Sequence, residues 1–140
     1  MIKPSSRIRY GLSALVDLAL HQQTGPVTVS TIAKRQGIPV QYLEQLFHRL
    51  RRQGIVVAAR GPRGGYRLSR SPREIPVSAI FECLENSKEP TFSSGPAAAV
   101  WKQVEAAVQT TLEATTLDAL VAQAREKAPS PINHSFTFHI

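Results

Sequence analysis

Hydrogen-bonding side chains recur along one side of the segment from residue 40 to residue 53. They are, in chain order, Gln41, Glu44, Gln45, His48, Arg49 and Arg52. A glutamine amide pairs with an adenine edge through two hydrogen bonds, and a glutamate accepts from the cytosine amino group. Histidine and arginine further along the segment are suited to phosphate oxygens, which supply affinity and register rather than sequence. These residue types in this order predict contact with duplex DNA.

A second basic group surrounds a glycine-rich turn. Residues 61–65 read Gly-Pro-Arg-Gly-Gly, which is turn chemistry. The arginines around the turn are Arg60, Arg63 and Arg67. Predicted strands flank it over residues 55–60 and 66–69, which makes a hairpin with a basic tip. Arginine is favoured in a narrow minor groove because the potential there is most negative.

Two helices are predicted ahead of these residues by the spacing of apolar side chains. The first covers residues 6–22, and Ser6 is its expected cap. The second is short, opens at Thr28 or Ser30, and ends at Gly37, where the chain must leave the helix with positive φ.

The third predicted helix, residues 40–53, carries the polar row described first. It follows Ile38-Pro39, a connection in which proline suits the first helical position. Its apolar residues lie at i, i+3, i+4 and i+7 and are Leu43, Leu46, Phe47 and Leu50. One side is therefore predicted to be buried, which leaves the polar row outward. Helix, turn, helix and hairpin together predict a winged helix-turn-helix.

The second half of the chain is predicted to be helical. A helix begins at Val77, a polar loop covers residues 86–96, and a final helix begins after Thr116. The long helix between them, from about residue 97 to 114, carries Trp101, Val104, Val108 and Leu112. These residues need a surface to cover them, and the same helix of a second subunit would supply it, because two-fold dimers are the commonest oligomers. The alternative is that the helix folds back on its own domain.

The expected fold class is mainly α with a small β-wing: a winged helix-turn-helix domain plus a long dimerisation helix. We expect the DNA-binding domain over residues 1–85, an effector loop over 86–96, dimerisation helices over 97–128 and a tail over 129–140.

Charge divides along the same boundary. Residues 1–75 hold 13 Lys and Arg against 3 Asp and Glu, a net charge of +10, whereas residues 76–140 hold 4 against 7, a net charge of −3. A polarised basic charge of this kind indicates a polyanionic partner for the first half.

Other classes of protein fit less well. The glycine-rich turn lacks the Lys-Ser/Thr that completes a phosphate-binding loop, so we expect no enzyme. No apolar run approaches the roughly 18 residues that span a bilayer. The first residues do not form a secretory signal, and we expect a cytoplasmic protein without a membrane partner.

Four stretches resemble the Rrf-two (Rrf2) family of bacterial regulators, the IscR, NsrR and CymR type. They read R-Y-G-L-x-A-L-x-D-L-A, I-A-K-R-Q-G-I, Y-L-E-Q-L-F-x-R-L-R-R-Q-G and R-G-P-R-G-G-Y-R-L. The resemblance implies a dimeric winged-helix transcription factor, usually a repressor and often a sensor. It places Tyr42, Glu44 and Gln45 in the recognition helix and Arg60 in the wing, with Glu44 helping to choose between DNA sites. Pro39 stands where similar proteins often have serine.

The chain departs from the cluster-binding members of that family. Those members hold an iron–sulfur cluster through three cysteines in the loop before the long helix, whereas residues 86–96 contain none. The single cysteine, Cys83, lies before the loop, and we expect it to be buried and inert. We therefore expect no cofactor.

Two alternatives stay open at this point. An atypical iron–sulfur cluster would use Cys83 with His134 or His139, which would make the protein a redox- or iron-responsive regulator. A winged helix also serves as a protein-interaction module, although the recognition side of such a module would be apolar or acidic rather than rich in Gln, His and Arg.

Overall fold

The computed structural model of the chain describes residues 5–60, 64–85 and 94–127. Within them, six α-helices and one two-stranded antiparallel sheet follow each other along the chain. The elements are α1 (Ser6–His21), α2 (Val29–Gln36), α3 (Val40–Arg52), β1 (Val56–Ala58), β2 (Tyr66–Leu68), α4 (Val77–Leu84), α5 (Pro96–Ala114) and α6 (Leu117–Lys127). Short 3₁₀ turns cover Gln22–Thr24 and Pro72–Glu74. The predicted fold class, mainly helical with a small β-wing, is confirmed.

The first helix begins at Ser6, as predicted, but its cap lies one residue earlier than expected. Ser5, not Ser6, is the cap: its hydroxyl accepts from the backbone N–H of Ile8 at 3.3 Å, and its backbone is extended. The prediction was wrong because two consecutive serines have equal cap propensity, and the backbone angle decides between them. Gly11 on the buried side of α1 permits close packing, since a methyl group there would overlap the Leu84 side chain of α4.

The turn between α2 and α3 is built as predicted. Of the two candidate caps for α2, Thr28 is the one used, and its hydroxyl accepts from the N–H of Thr31 at 3.2 Å. Gly37 ends α2 with φ of 67°, a left-handed angle that favours glycine. Pro39 is the residue before the first turn of α3, one position earlier than predicted, and its carbonyl accepts from the N–H of Leu43 at 3.0 Å.

The apolar side of α3 is the centre of the core. Leu43, Phe47 and Leu50 are fully buried and Leu46 is nearly so. This side of α3 packs against α1, α2 and α4. Each fully buried side chain of this size contributes about 1.5–3 kcal/mol, so the orientation of α3 about its axis is set by burial.

A buried ion pair joins α1 to α2. The Asp17 side chain is 1 % exposed, and its carboxylate accepts from Arg35 Nη2 at 2.6 Å and from Arg35 Nε at 3.0 Å. The Gln36 amide donates to the same carboxylate at 2.9 Å. Hydrogen bonding to Asp17 and its negative charge hold the pKa of Arg35 above its ordinary value, against the opposing effect of burial. These bonds fix the end of α2, next to the turn, against α1.

The two C-terminal helices differ in their packing. α6 folds back on α1 and on the Pro72–Glu74 turn, and Leu117 and Val121 are buried there. Backbone bonds from Leu117 to Ile75 and from Val77 to Thr115, both 2.8 Å, tie its start to the domain. α5 packs against α4, and Ala98 is the one buried residue of its described length.

We predict that Arg35→Ala lowers the free energy of unfolding by more than is usual for a partly exposed side chain. The substitution leaves the Asp17 carboxylate buried without its cation, which costs about 3 kcal/mol. Chemical denaturation at fixed protein concentration measures the free energy of unfolding, with Lys34→Ala, an exposed neighbour on α2, as the control. A loss below about 1 kcal/mol for Arg35→Ala would contradict a structural role for the pair.

Candidate nucleic-acid interface

The polar row of α3 lies on the solvent side of the helix. Because the apolar stripe faces the core, the residues between its members point outward. The exposed residues are Gln41, Glu44, Gln45, His48 and Arg52. Four of them recur at i, i+4, i+7 and i+11, which places them on one face along the whole helix. Along this face the two glutamines precede His48 and Arg52, and an α-helix is an element that the major groove admits.

Two of the predicted site residues are only half exposed. Tyr42 packs against Tyr10 of α1, with ring centroids 5.7 Å apart and planes at 87°. Arg49 is half-buried, and its positive charge acts on the Cys83 thiol of α4. The charge of Arg52 acts on the same thiol, so the two arginines differ in exposure: Arg49 is half-buried and Arg52 is exposed.

The wing follows α3 directly. β1 and β2 pair antiparallel with Val57 opposite Arg67, and both side chains are exposed. Arg60 is also exposed, at the end of the first strand. Arg63 lies outside the described residues. The strands are shorter than predicted and cover Val56–Ala58 and Tyr66–Leu68, although single backbone hydrogen bonds continue past each end, from Ala59 to Gly65 at 2.9 Å and from Ser69 to Ile55 at 3.0 Å.

Contacts from the helical core hold the wing in place. The Tyr66 ring tilts against Phe47 of α3 with centroids 5.1 Å apart. Val27 exchanges two backbone hydrogen bonds with Tyr66, of 2.9 and 2.8 Å, so that it serves as a third strand position. The Gln22 side chain accepts from the N–H of Leu68 at 2.8 Å. The wing thus keeps a set position relative to the outer face of α3.

Gly65 makes the approach of the wing to Val27 feasible. Its φ is 110°, and a Cβ at this position would lie 3.0 Å from the Val27 carbonyl carbon and oxygen. Both conditions exclude a larger residue without strain. Glycine is therefore needed at residue 65 for two reasons: its backbone angle, and the close packing of the turn against Val27.

The basic residues of this surface are available to an external anion. Within the described part of the chain, Arg52, Arg60 and Arg67 form no ion pair with a carboxylate. Their charge is therefore not neutralised by the protein, as expected for side chains that displace counterions from a phosphate backbone.

The donor set does not fit the three-thiolate cluster of similar proteins. The chain has one cysteine, and Cys83 is buried on α4. Burial raises the pKa of its thiol, which disfavours the thiolate that binds metal, while the charges of Arg49 and Arg52 act in the opposite direction. Among the described residues no group of three His, Cys, Asp or Glu side chains could hold a metal ion. His134 and His139 lie outside them.

Sequence reasoning missed the Asp17 pair and the Tyr10 contact. Asp17 could have been found, because it falls on the buried side of α1 beside Leu18, and a carboxylate there requires a partner. Tyr10 is at the edge of that side, and nothing in the sequence indicates that it meets Tyr42.

These features define a class, the winged helix-turn-helix DNA-binding regulators. A protein-family model described as "Rrf2: Iron-dependent Transcriptional regulator" matches residues 4–123. The chain belongs to the Rrf2 family. Its relatives are transcriptional regulators and not enzymes.

Individual relatives agree with this assignment. The chain is 46 % identical over 94 residues to the HTH-type transcriptional regulator IscR of Aliivibrio salmonicida, a match that covers 67 % of this chain and 56 % of the relative. It is 39 % identical over 127 residues to IscR of Pectobacterium carotovorum, which covers 84 % of this chain and 77 % of the relative.

Solved structures share the fold over nearly all of the chain. The structure of T. potens IscR has a TM-score of 0.80 and 36 % identity, covering 95 % of this chain and 96 % of that one. CymR, described as the global cysteine regulator of B. subtilis, has a TM-score of 0.78 and 35 % identity, covering 88 % of this chain and 98 % of that one.

No described helix combines the length and apolarity needed to cross a membrane.

Proposed function

We propose that the protein is a sequence-specific transcription repressor that binds operator DNA as a homodimer in the cytoplasm, without a cysteine-ligated iron–sulfur cluster. The observation that carries this proposal is the exposed polar row of α3, held beside Arg60 and Arg67 of the wing, which form no ion pair within the described residues. A dimer on a promoter would exclude the polymerase, which is the physical basis of repression.

The roles of the side chains follow from their position. Gln41, Glu44 and Gln45, in the first turns of α3, read base edges in the major groove. His48 and Arg52 bind phosphates, and Arg60, Arg63 and Arg67 reach the adjacent backbone or minor groove from the wing. Tyr42 supports the start of α3 through its contact with α1. Arg49 contributes positive charge from the side of the helix.

The proposed domain organisation assigns residues 1–85 to DNA binding, 86–96 to an effector loop, 97–128 to dimerisation and 129–140 to a tail. Its support is the packing of α5. Trp101, Val104 and Leu112 are half-buried and Val108 is 39 % exposed, so that an apolar stripe runs along a helix of 19 residues. That length is about 28 Å. The same stripe on a second copy would cover it, and a dimer would present two recognition helices to two half-sites.

We predict that Arg60→Ala changes the salt dependence of DNA affinity, whereas Gln45→Ala changes the preferred DNA sequence. Removing Arg60 weakens binding to all duplexes and lowers the salt slope of the affinity by about 0.9 for each protomer bound. Removing Gln45 changes the preferred sequence and leaves the salt slope unchanged, because the amide contacts bases. Selection from a randomised duplex pool, followed by affinity measurements at several salt concentrations, measures both.

An unchanged sequence preference for Gln45→Ala would remove that residue from base reading. If the wild-type protein retained no duplex from the pool at modest salt, the DNA-binding proposal itself would fail and a protein-interaction module would take its place.

Val108→Glu is expected to shift the dimer towards the monomer, because it places a charge in the apolar stripe. Ala106→Glu is the matched control, since this exposed residue lies on the opposite side of α5. Sedimentation velocity gives the oligomeric state of both variants, and circular dichroism checks that they are folded. If both variants dissociated equally, or if neither did, the apolar stripe of α5 would not be the dimer interface.

Protein purified without oxygen is expected to be colourless, with iron and sulfide far below one per chain, because one cysteine cannot supply three thiolate ligands. The measurement combines the visible absorption spectrum with iron and sulfide analysis. A visible band with stoichiometric iron and sulfide would overturn the prediction. Loss of that band in Cys83→Ala would then assign an atypical centre to this thiol.

A further inference from the structure

The amino-terminal end of α1 lies against the end of α3 that is proposed to enter the DNA. Tyr42 lies in the first turn of α3, and its ring meets the ring of Tyr10 edge to face at 5.7 Å. Such a pair contributes about 0.5–1.5 kcal/mol beyond the area it buries. Tyr10 is therefore held beside the base-reading end of α3.

Arg9 extends this arrangement outward. Its guanidinium carbon lies 5.8 Å from the centre of the Tyr10 ring, within the range of a cation–π contact. Arg9 is exposed and Tyr10 is 36 % exposed. The contact with the ring limits the directions in which the guanidinium can point.

Both polar groups are without a hydrogen-bonding or charged partner among the described residues. Over residues 5–60, 64–85 and 94–127, no carboxylate pairs with Arg9 and no group hydrogen-bonds the Tyr10 hydroxyl. The two groups together offer several N–H donors and one O–H donor to a ligand in solution. A phosphate accepts both kinds, and the planar guanidinium can bind it through two hydrogen bonds.

The DNA backbone at the edge of the major groove would place a phosphate near these two side chains. A helix seated in the major groove, which is about 12 Å wide, has a phosphate backbone on each side. Side chains of a neighbouring helix that pack against the first turn of the seated helix lie towards the rim of the groove. Arg9 and Tyr10 occupy such a position, on an element other than α3 and the wing.

We propose that Arg9 and Tyr10 form a third DNA contact, in which the Arg9 guanidinium and the Tyr10 hydroxyl bind backbone phosphate at the rim of the major groove. The Tyr10–Tyr42 ring pair transmits this contact to α3 and fixes how deeply and in which register the recognition helix sits. This proposal rests on the DNA-binding function proposed above.

The test uses the full-length protein and a duplex of about 30 base pairs that the wild type selects from a randomised pool. The variants are Arg9→Ala, Arg9→Lys and Tyr10→Phe. The last of these keeps the ring against Tyr42 and removes only the hydroxyl. Arg125→Ala is the charge-matched control, because this exposed arginine lies on α6, outside the helix-turn-helix and the wing. Affinities are measured from low to moderate salt, and each variant is also passed through the pool selection.

Arg9→Ala is expected to bind roughly tenfold more weakly at low salt. Its salt slope falls by about 0.9 for each protomer, or about 1.8 for a dimer with two half-sites. Arg9→Lys keeps most of the slope. Tyr10→Phe loses roughly threefold in affinity with an unchanged slope, since the hydroxyl is neutral. Arg125→Ala behaves as the wild type, and all variants select the same sequence, because phosphate contacts carry no sequence information.

Equal salt slopes for Arg9→Ala and the wild type would overturn the third contact and leave the proposed function intact. The same holds if Arg9→Ala acts by dissociating the dimer in sedimentation velocity, which would assign Arg9 to the subunit interface. Failure of the wild type to select any duplex would overturn the proposed function and, with it, this contact.

Discussion

Burial of one side of α3 is the constraint on which the rest of the structure depends. Leu43, Leu46, Phe47 and Leu50 pack against three other helices, and rotating α3 about its axis would expose them. The polar row therefore has one orientation available to it. A recognition surface of this kind needs no separate device to aim its side chains, because the hydrophobic effect aims them.

The remaining contacts fix this helix relative to its neighbours. Asp17 binds Arg35 and Gln36 and so joins α1 to the helix-turn-helix. Phe47 and Val27 hold Tyr66 of the wing. Tyr10 meets Tyr42 at the start of α3. Each of these contacts links α2 or α3 to a different element, so that α1 and the wing are each held directly against the helix-turn-helix.

The chain shares the fold of IscR and CymR structures at TM-scores of 0.80 and 0.78, and its single cysteine is buried on α4. Burial raises the pKa of the Cys83 thiol, which disfavours the thiolate form that binds metal. Among the described residues, the core cluster draws on α1 to α4, the wing and α6, and it includes no residue of α5.

Local pattern predicted the elements well, for physical reasons that can be traced to particular residues. The i, i+3, i+4 and i+7 spacing of the α3 stripe, the left-handed Gly37 and the Thr28 cap act within a few residues of chain. Boundaries were less accurate: Ser5 replaced Ser6 as the cap, and each strand of the wing was shorter than expected, since these limits depend on backbone angles and on pairing with distant residues.

By itself, the sequence determined which residues form α3, which of its sides is buried and where the basic charge concentrates, because helical periodicity and charge are local properties. Only the tertiary structure decided that Arg49 is half-buried whereas Arg52 is exposed, that Asp17 meets Arg35 and Gln36, and that Tyr10 meets Tyr42. Those pairs join separate elements of the fold, and which side chains meet is set by how whole helices pack against each other.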